Sequence, residues 1–175
     1  MRGLHFFANV CELNVSSNSI LTMSGLEGLR QLESLNMSCN KLTRIFCLAN
    51  ISRTLKHLNL SHNRIVSLMP MEEFADISVL EKLDLTDNYI GEMNNIKALS
   101  KYGNLRELSF QKAGDESKGS NPICDFFNYR DTINLYLPQL NIVDGLNHQA
   151  SPGAANQRRD DRIYNNAALS DSPKL

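Results

Sequence analysis

Three side chains at matching positions of a repeated frame could do chemistry together. Cys39, His62 and Asp87 each stand directly before an asparagine, at steps of 23 and 25 residues. Thiol, imidazole and carboxylate in that order are the parts of a nucleophile, a base and the group that orients the base. Cys39 and His62, with His57 nearby, are also residue types that bind zinc. Both chemistries need convergence: a pocket with oxyanion donors, or a closed set of ligands. The frame offers neither. The position falls on a solvent-facing turn, and the first copy fills it with Ser17, so any polar residue serves there. We expect no enzyme, no cofactor and no metal centre.

What the frame must position is clearer. VCELNVSSNSI, LESLNMSCNKL, LKHLNLSHNRI and LEKLDLTDNYI begin at Val10, Leu32, Leu55 and Leu80, and LRELSF begins a further copy at Leu105. Self-similarity at steps of 22 to 25 residues marks a solenoid of stacked repeats. Within L-x-L the side chains alternate, so a short strand turns its leucines inward and its polar residues outward. The chain must then turn away, leaving buried backbone N–H and C=O groups that are costly if unpaired. An asparagine amide both donates and accepts. Asn18, Asn40, Asn63 and Asn88 should therefore stack as a structural ladder along the turns. Between strands, apolar residues recur every three positions, as in Ile20, Met23, Leu26, Leu29 and Leu32. That spacing fits 3₁₀ or short α segments on the convex side.

The frame L-x-x-L-x-L-x-x-N-x-L matches the leucine-rich repeat. The chain resembles the 22-residue, intracellular subclass of that family, typified by a regulatory subunit of protein phosphatase 1. Axonemal dynein light chain and several centrosomal and ciliary proteins look similar. The resemblance implies an α/β fold: a right-handed solenoid with short parallel strands on its concave face. It also implies a C-terminal cap. In the last copy the asparagine is due at Ala113 but arrives as Asn121, after the polar insertion QKAGDESKGS. NPICDFFNYRDTINLYLPQLNIVDG then resembles the cap, with a helix over Arg130 to Leu137 ended by Pro138 and a last strand from Leu140, Ile142 and Val143. Phe126, Phe127 and Tyr129 should anchor it, and Cys124 should be core. Cys47 should pack on the convex side. The reading gives a repeat domain over 1–146, with the cap at 121–146, and a disordered polar tail over 147–175. The tail holds two Ser-Pro dipeptides, at Ser151 and Ser172.

Composition narrows the partners. A formal net charge of −1 over 175 residues gives no general affinity for nucleic acid or an anionic membrane. No apolar run reaches the length of a membrane span. The scattered cysteines (Cys11, Cys39, Cys47, Cys124) and the poor secretory signal in MRGLHFFANV point to a reducing, intracellular compartment. The sequons at Asn14, Asn36, Asn50 and Asn59 are products of the repeat and should be unglycosylated. At the N-terminus Leu4, Phe7, Val10 and Leu13 continue the rhythm of three without an evident cap, so either upstream repeats are absent from this chain or a partner covers that edge.

These expectations converge on a protein-binding scaffold. Its candidate surface is the concave face, and its candidate contact residues are the central His57, Asn59, His62, Lys82, Asp84 and Asp87. The resemblance implies a cytoplasmic place in a centrosomal, basal-body or axonemal assembly. A phosphatase-regulatory subunit and a structural protein of a nuclear ribonucleoprotein are the alternatives.

Overall fold

The computed structural model describes residues 4–46, 48, 49, 51–112, 114 and 119–147. The expectations for Cys47, the Asn50 sequon, Ala113 and the Ser-Pro dipeptides lie outside the described residues.

Each L-x-L core makes a three-residue strand: β1 Glu12–Asn14, β2 Ser34–Asn36, β3 His57–Asn59, β4 Lys82–Asp84 and β5 Glu107–Ser109. β6 Ile142–Val143 and β7 Leu146–Asn147 complete one seven-stranded sheet in sequence order. Pairing is parallel from β1 to β6, and β7 turns back antiparallel onto β6. The expected boundary between 146 and 147 therefore falls inside the last strand. Residues 148–175 lie outside the described residues.

The register puts Leu13, Leu35, Leu58, Leu83, Leu108 and Val143 in one line. From Leu35 onward every member of that line is buried. A second buried line is formed by Met37, Leu60, Leu85 and Phe110, and a third by Leu42, Ile65, Ile90 and Ile123. At roughly 1.5–3 kcal/mol for each fully buried aliphatic or aromatic side chain, these stacked lines supply a large part of the folding drive, and the buried residues of the convex turns and the cap supply the rest.

The rhythm of three becomes tight turns on the convex side. Backbone bonds run Leu29 N–H to Leu26 C=O, Leu32 to Leu29, Ile51 to Leu48, Met71 to Leu68 and Tyr102 to Leu99. Each joins one core residue to the core residue three before it, the 3₁₀ pattern. The longer steps are absorbed by a 3₁₀ segment over Met69–Ile77 and by α1 over Asn94–Ala98. At the N-terminus the same bonds recur, from Phe7 to Leu4 and from Val10 to Phe7. Leu4 and Val10 pack against the core, but Phe7 is 57% exposed.

The cap forms with two corrections. Its helix, α2, spans Tyr129–Tyr136, one residue earlier than expected, with Leu137 as C-cap before Pro138. Of the three expected aromatic anchors only Tyr129 is buried; Phe127 is 89% exposed and Phe126 is 45% exposed. Both phenylalanines fall between the 3₁₀ turn Pro122–Asp125 and α2, off the apolar face of either. Ile123, Ile133, Leu137 and Leu140 do the covering instead.

Candidate functional site

The turns after the strands are densely hydrogen-bonded. Asn63 shows why. Its Nδ2 donates to the carbonyls of Met37, Leu60 and Ser61 at 3.0, 3.0 and 3.1 Å, and its Oδ1 accepts from Leu42 N–H at 3.0 Å. Asn40 and Asn88 repeat this arrangement with Ile20 N–H and Ile65 N–H. Asn121 closes it by accepting from Ile90 N–H and donating to Leu85 and Phe110 carbonyls. The insertion thus displaces the asparagine in sequence but not in space. Asn18 differs: it is exposed and donates only within its own turn, because β1 is the sheet edge.

The residues before Asn18, Asn40, Asn63 and Asn88 share one backbone conformation. Ser17, Cys39, His62 and Asp87 have φ of 57°, 55°, 55° and 55°. That left-handed conformation favours Asn, Asp and His over bulky or β-branched residues. It lets each N–H reach the next repeat, Cys39 to Ser61 C=O and His62 to Thr86 C=O at 2.9 and 2.8 Å. The row with apparent catalytic spacing is therefore a row of shared backbone geometry. Two of its members meet: His62 Nδ1 lies 2.7 Å from Asp87 Oδ2, both side chains half exposed. Cys39 is exposed on the same row. Among the described residues no group of three or more His, Cys, Asp and Glu side chains is arranged to hold a metal ion.

The concave face carries the other expected residues. His57, Asn59, Lys82 and Asp84 line one shallow depression together with Ser34, Leu35, Asn36 and Leu58. Its floor is the sheet at Leu35 and Leu58, whose side chains are buried in the core, and its walls are polar. The structure thus gathers four of the six expected contact residues and sets His62 and Asp87 apart on the turn row. Lys82 is held by Glu107 at 2.7 Å. One residue earlier in each strand frame, Lys56 pairs with Glu33 at 2.8 Å. That hydrogen bond lowers the Glu33 carboxyl below its ordinary range and raises the Lys56 ammonium above its own.

The middle row has an internal order. Oδ1 of Asn14, Asn36, Asn59 and Asp84 accepts the backbone N–H two residues on, at 3.0, 3.0, 2.9 and 3.0 Å. Each is a side-chain turn that copies a backbone turn. Ser61 Oγ adds a second donor to Asn59 Oδ1 at 2.7 Å. These bonds fix which amide atom faces inward.

Asn36, beside Asn59 on the middle row of the concave face but not among the expected contacts, lines the depression as fully as Asn59 does. Two residues escaped sequence reasoning. Asn95 is a convex-side rung, buried, with Oδ1 accepting from Leu68 N–H at 2.5 Å. Asp144 seals the far end of the sheet. By register it follows Val143, opposite the Leu108 line, and its side chain is 1% exposed. Its carboxylate accepts from Phe110 and Gln111 N–H at 2.8 and 3.3 Å, from Tyr129 O–H at 3.1 Å, and pairs with Arg130 at 3.2 Å. Burial, then this carboxylate, drives the Tyr129 hydroxyl well above its ordinary range. Burial, with the same carboxylate adding to it, pushes the Cys124 thiol up to about 12. The D-G dipeptide of the cap was visible, but not the carboxylate's inward turn.

Comparison with known proteins agrees with this architecture. A family model described as "Leucine Rich repeat" matches residues 52–66. The chain is 33% identical over 133 residues to dynein axonemal assembly factor 11 of Mus musculus, covering 65% of this chain and 26% of that protein. It is 32% identical over 103 residues to U2 small nuclear ribonucleoprotein A' of Arabidopsis thaliana, covering 57% and 41%. The chain therefore spans well under half the length of these curated relatives. In the solved Drosophila melanogaster SNF/U2A' complex, one chain superposes with a TM-score of 0.68 at 24% identity, over 89% of this chain and 87% of that one. Among the described residues no helix is long and apolar enough to cross a membrane.

Proposed function

We propose that this chain, a leucine-rich repeat protein, is a non-catalytic protein-binding scaffold or adaptor that works through the concave face of its sheet. One observation carries the reading. Six strands in strict parallel register hold polar side chains in rows over a close-packed leucine floor. Side chains fixed in advance lose little further freedom on association. The central contacts are His57, Asn59, Lys82 and Asp84 in the depression, with His62 and Asp87 beside it on the turns. The relative that is a dynein axonemal assembly factor favours a cytoplasmic role in a ciliary, axonemal or basal-body assembly. A second reading, a protein of a nuclear ribonucleoprotein, is favoured by the U2 A' relative and by the U2A' chain in the solved complex.

The test fills the depression without changing charge. Ser34→Tyr with His57→Tyr replaces two side chains on strands that tolerate tyrosine well. Circular dichroism establishes folding, and wild type and variant are compared in quantitative affinity capture from ciliated cells. Loss of specific partners in the folded variant is the expected result. Equal capture by both proteins removes the concave face as the site. Fluorescent localisation separates the two settings: the ciliary base or the nucleus.

A further inference from the structure

The middle row of the concave face has a direction. Asn14, Asn36 and Asn59 each spend Oδ1 on the N–H of Ser16, Ser38 or Ser61. An amide so held keeps both Nδ2 N–H donors, while its oxygen has at most one lone pair left, and none at Asn59, where Ser61 Oγ takes the second. Among the described residues none of these three Nδ2 groups has a hydrogen-bond partner. The ladder asparagines are the contrast, since Nδ2 of Asn40 or Asn63 is bonded to three carbonyls. The strands lie about 4.8 Å apart, so β1 to β3 present unpaired donors over roughly 10 Å. At β4 the sign changes. Asp84 makes the same turn through Oδ1 to Thr86 N–H, which leaves a carboxylate oxygen where its neighbours have N–H groups. Around the donors stand the Ser34 hydroxyl and the His57 ring, neither with a hydrogen-bond partner among the described residues. Lys82 lies at the junction, neutralised by Glu107. Two acidic groups stand at the start of the donor strands: Glu12 on the outer strand, and Glu33, which is paired with Lys56 and lies within electrostatic reach of His57.

We infer that this row recognises an acidic segment of a protein partner followed by a basic residue: Asp or Glu oxygens on the Asn14, Asn36 and Asn59 amides, and the cation on Asp84. Side chains on one face of an extended chain recur about every 6.6 Å, so across the roughly 10 Å of the donor row two acidic side chains, with four carboxylate oxygens between them, face the three amides. N–H groups on carboxylates make the stronger class of hydrogen bond. The inference rests on the concave-face reading and adds the chemistry of the occupant.

The probe is a synthetic peptide with a glutamate run followed by lysines, and its counterpart is an all-lysine peptide. The variant is Asn36→Asp with Asn59→Asp. Asp84 already shows that aspartate keeps the turn, so the fold is retained while donors become acceptors. With isotope-labelled wild type, the glutamate peptide should shift the Nδ2 signals of Asn36 and Asn59 and leave those of Asn40 and Asn63 in place. In the variant, affinity for it should fall roughly tenfold or more, and affinity for the lysine peptide should rise. Equal binding by wild type and variant overturns the inference. So does a wild type that prefers the lysine peptide, or that binds no glutamate peptide at millimolar concentration. If a captured cellular partner is lost by the tyrosine-filled protein but kept by the aspartate variant, the scaffold reading stands and the acidic-segment inference falls. If both variants keep it, both fall.

Discussion

Asn59 and Asn63 are the same side chain, four residues apart in one repeat, and they do opposite things. Asn63 is 6% exposed, and both amide atoms are committed to backbone groups of its own and adjacent repeats. Asn59 commits its oxygen locally and leaves its nitrogen to whatever approaches. Residue type does not distinguish a structural amide from a presented one. Position does: one follows the left-handed turn residue and points into the stack, the other ends a strand on its polar side. Asp144 and Asp84 repeat the contrast with carboxylates, as do Cys124 and Cys39 with thiols.

The sharpest break falls on the aspartates. Asp144→Ala leaves the Phe110 and Gln111 N–H groups and the Tyr129 hydroxyl unpaired and Arg130 without its counter-charge. A loss of about 3–5 kcal/mol is expected, read as a lower urea midpoint. Asp84→Asn should cost under about 0.5 kcal/mol in the same assay. The asparagine pair comes next. Asn63→Ala orphans buried carbonyls and the Leu42 N–H, for about 2–3 kcal/mol, whereas Asn59→Ala should cost about 0.5–1 kcal/mol. Equal costs would erase the distinction between the rows.

The thiols give a kinetic version. In a Cys47→Ser background, Cys11 and Cys39 should react with a thiol reagent at pH 8 in the folded protein, while Cys124 reacts only on unfolding. The smallest effect belongs to the exposed Glu33–Lys56 pair. Its hydrogen bond lowers Glu33 from 4.5 and raises Lys56 from 10.5. The stabilisation is therefore present between those values. It is lost as pH falls through the folded Glu33 pKa, and again as it rises through the folded Lys56 pKa. The difference in melting temperature between wild type and Lys56→Met should be slight at neutral pH and vanish at both extremes.

The strands, the leucine floor, the ladder and the displaced rung at Asn121 were legible because each depends on local pattern repeated in register. What escaped depended on dihedral angle or on contacts between distant segments. The polar types at 17, 39, 62 and 87 looked interchangeable until φ showed what they share. Asn95 lies outside the repeated frame, so its bond to Leu68, 27 residues away, left no periodic trace. Asn36 and Asn59 were visible on the concave face as residues, but not which end of each amide faces out. Phe126 and Phe127 followed the rule that aromatics anchor caps, and the turn before α2 placed them outside it.

The insertion after Phe110 begins and ends at tied points. Phe110 C=O receives both the backbone and the side-chain N–H of Asn121, at 3.1 and 2.7 Å, and Gly119 C=O receives Asp87 N–H at 2.7 Å. With both ends clamped, doubling the chain between them costs only about 0.6 kcal/mol of closure entropy. The stretch between Gln111 and Gly119 is thus a natural splice point. A fluorescent reporter grafted there should report on the solenoid in living cells while leaving its melting temperature within a few degrees of the parent.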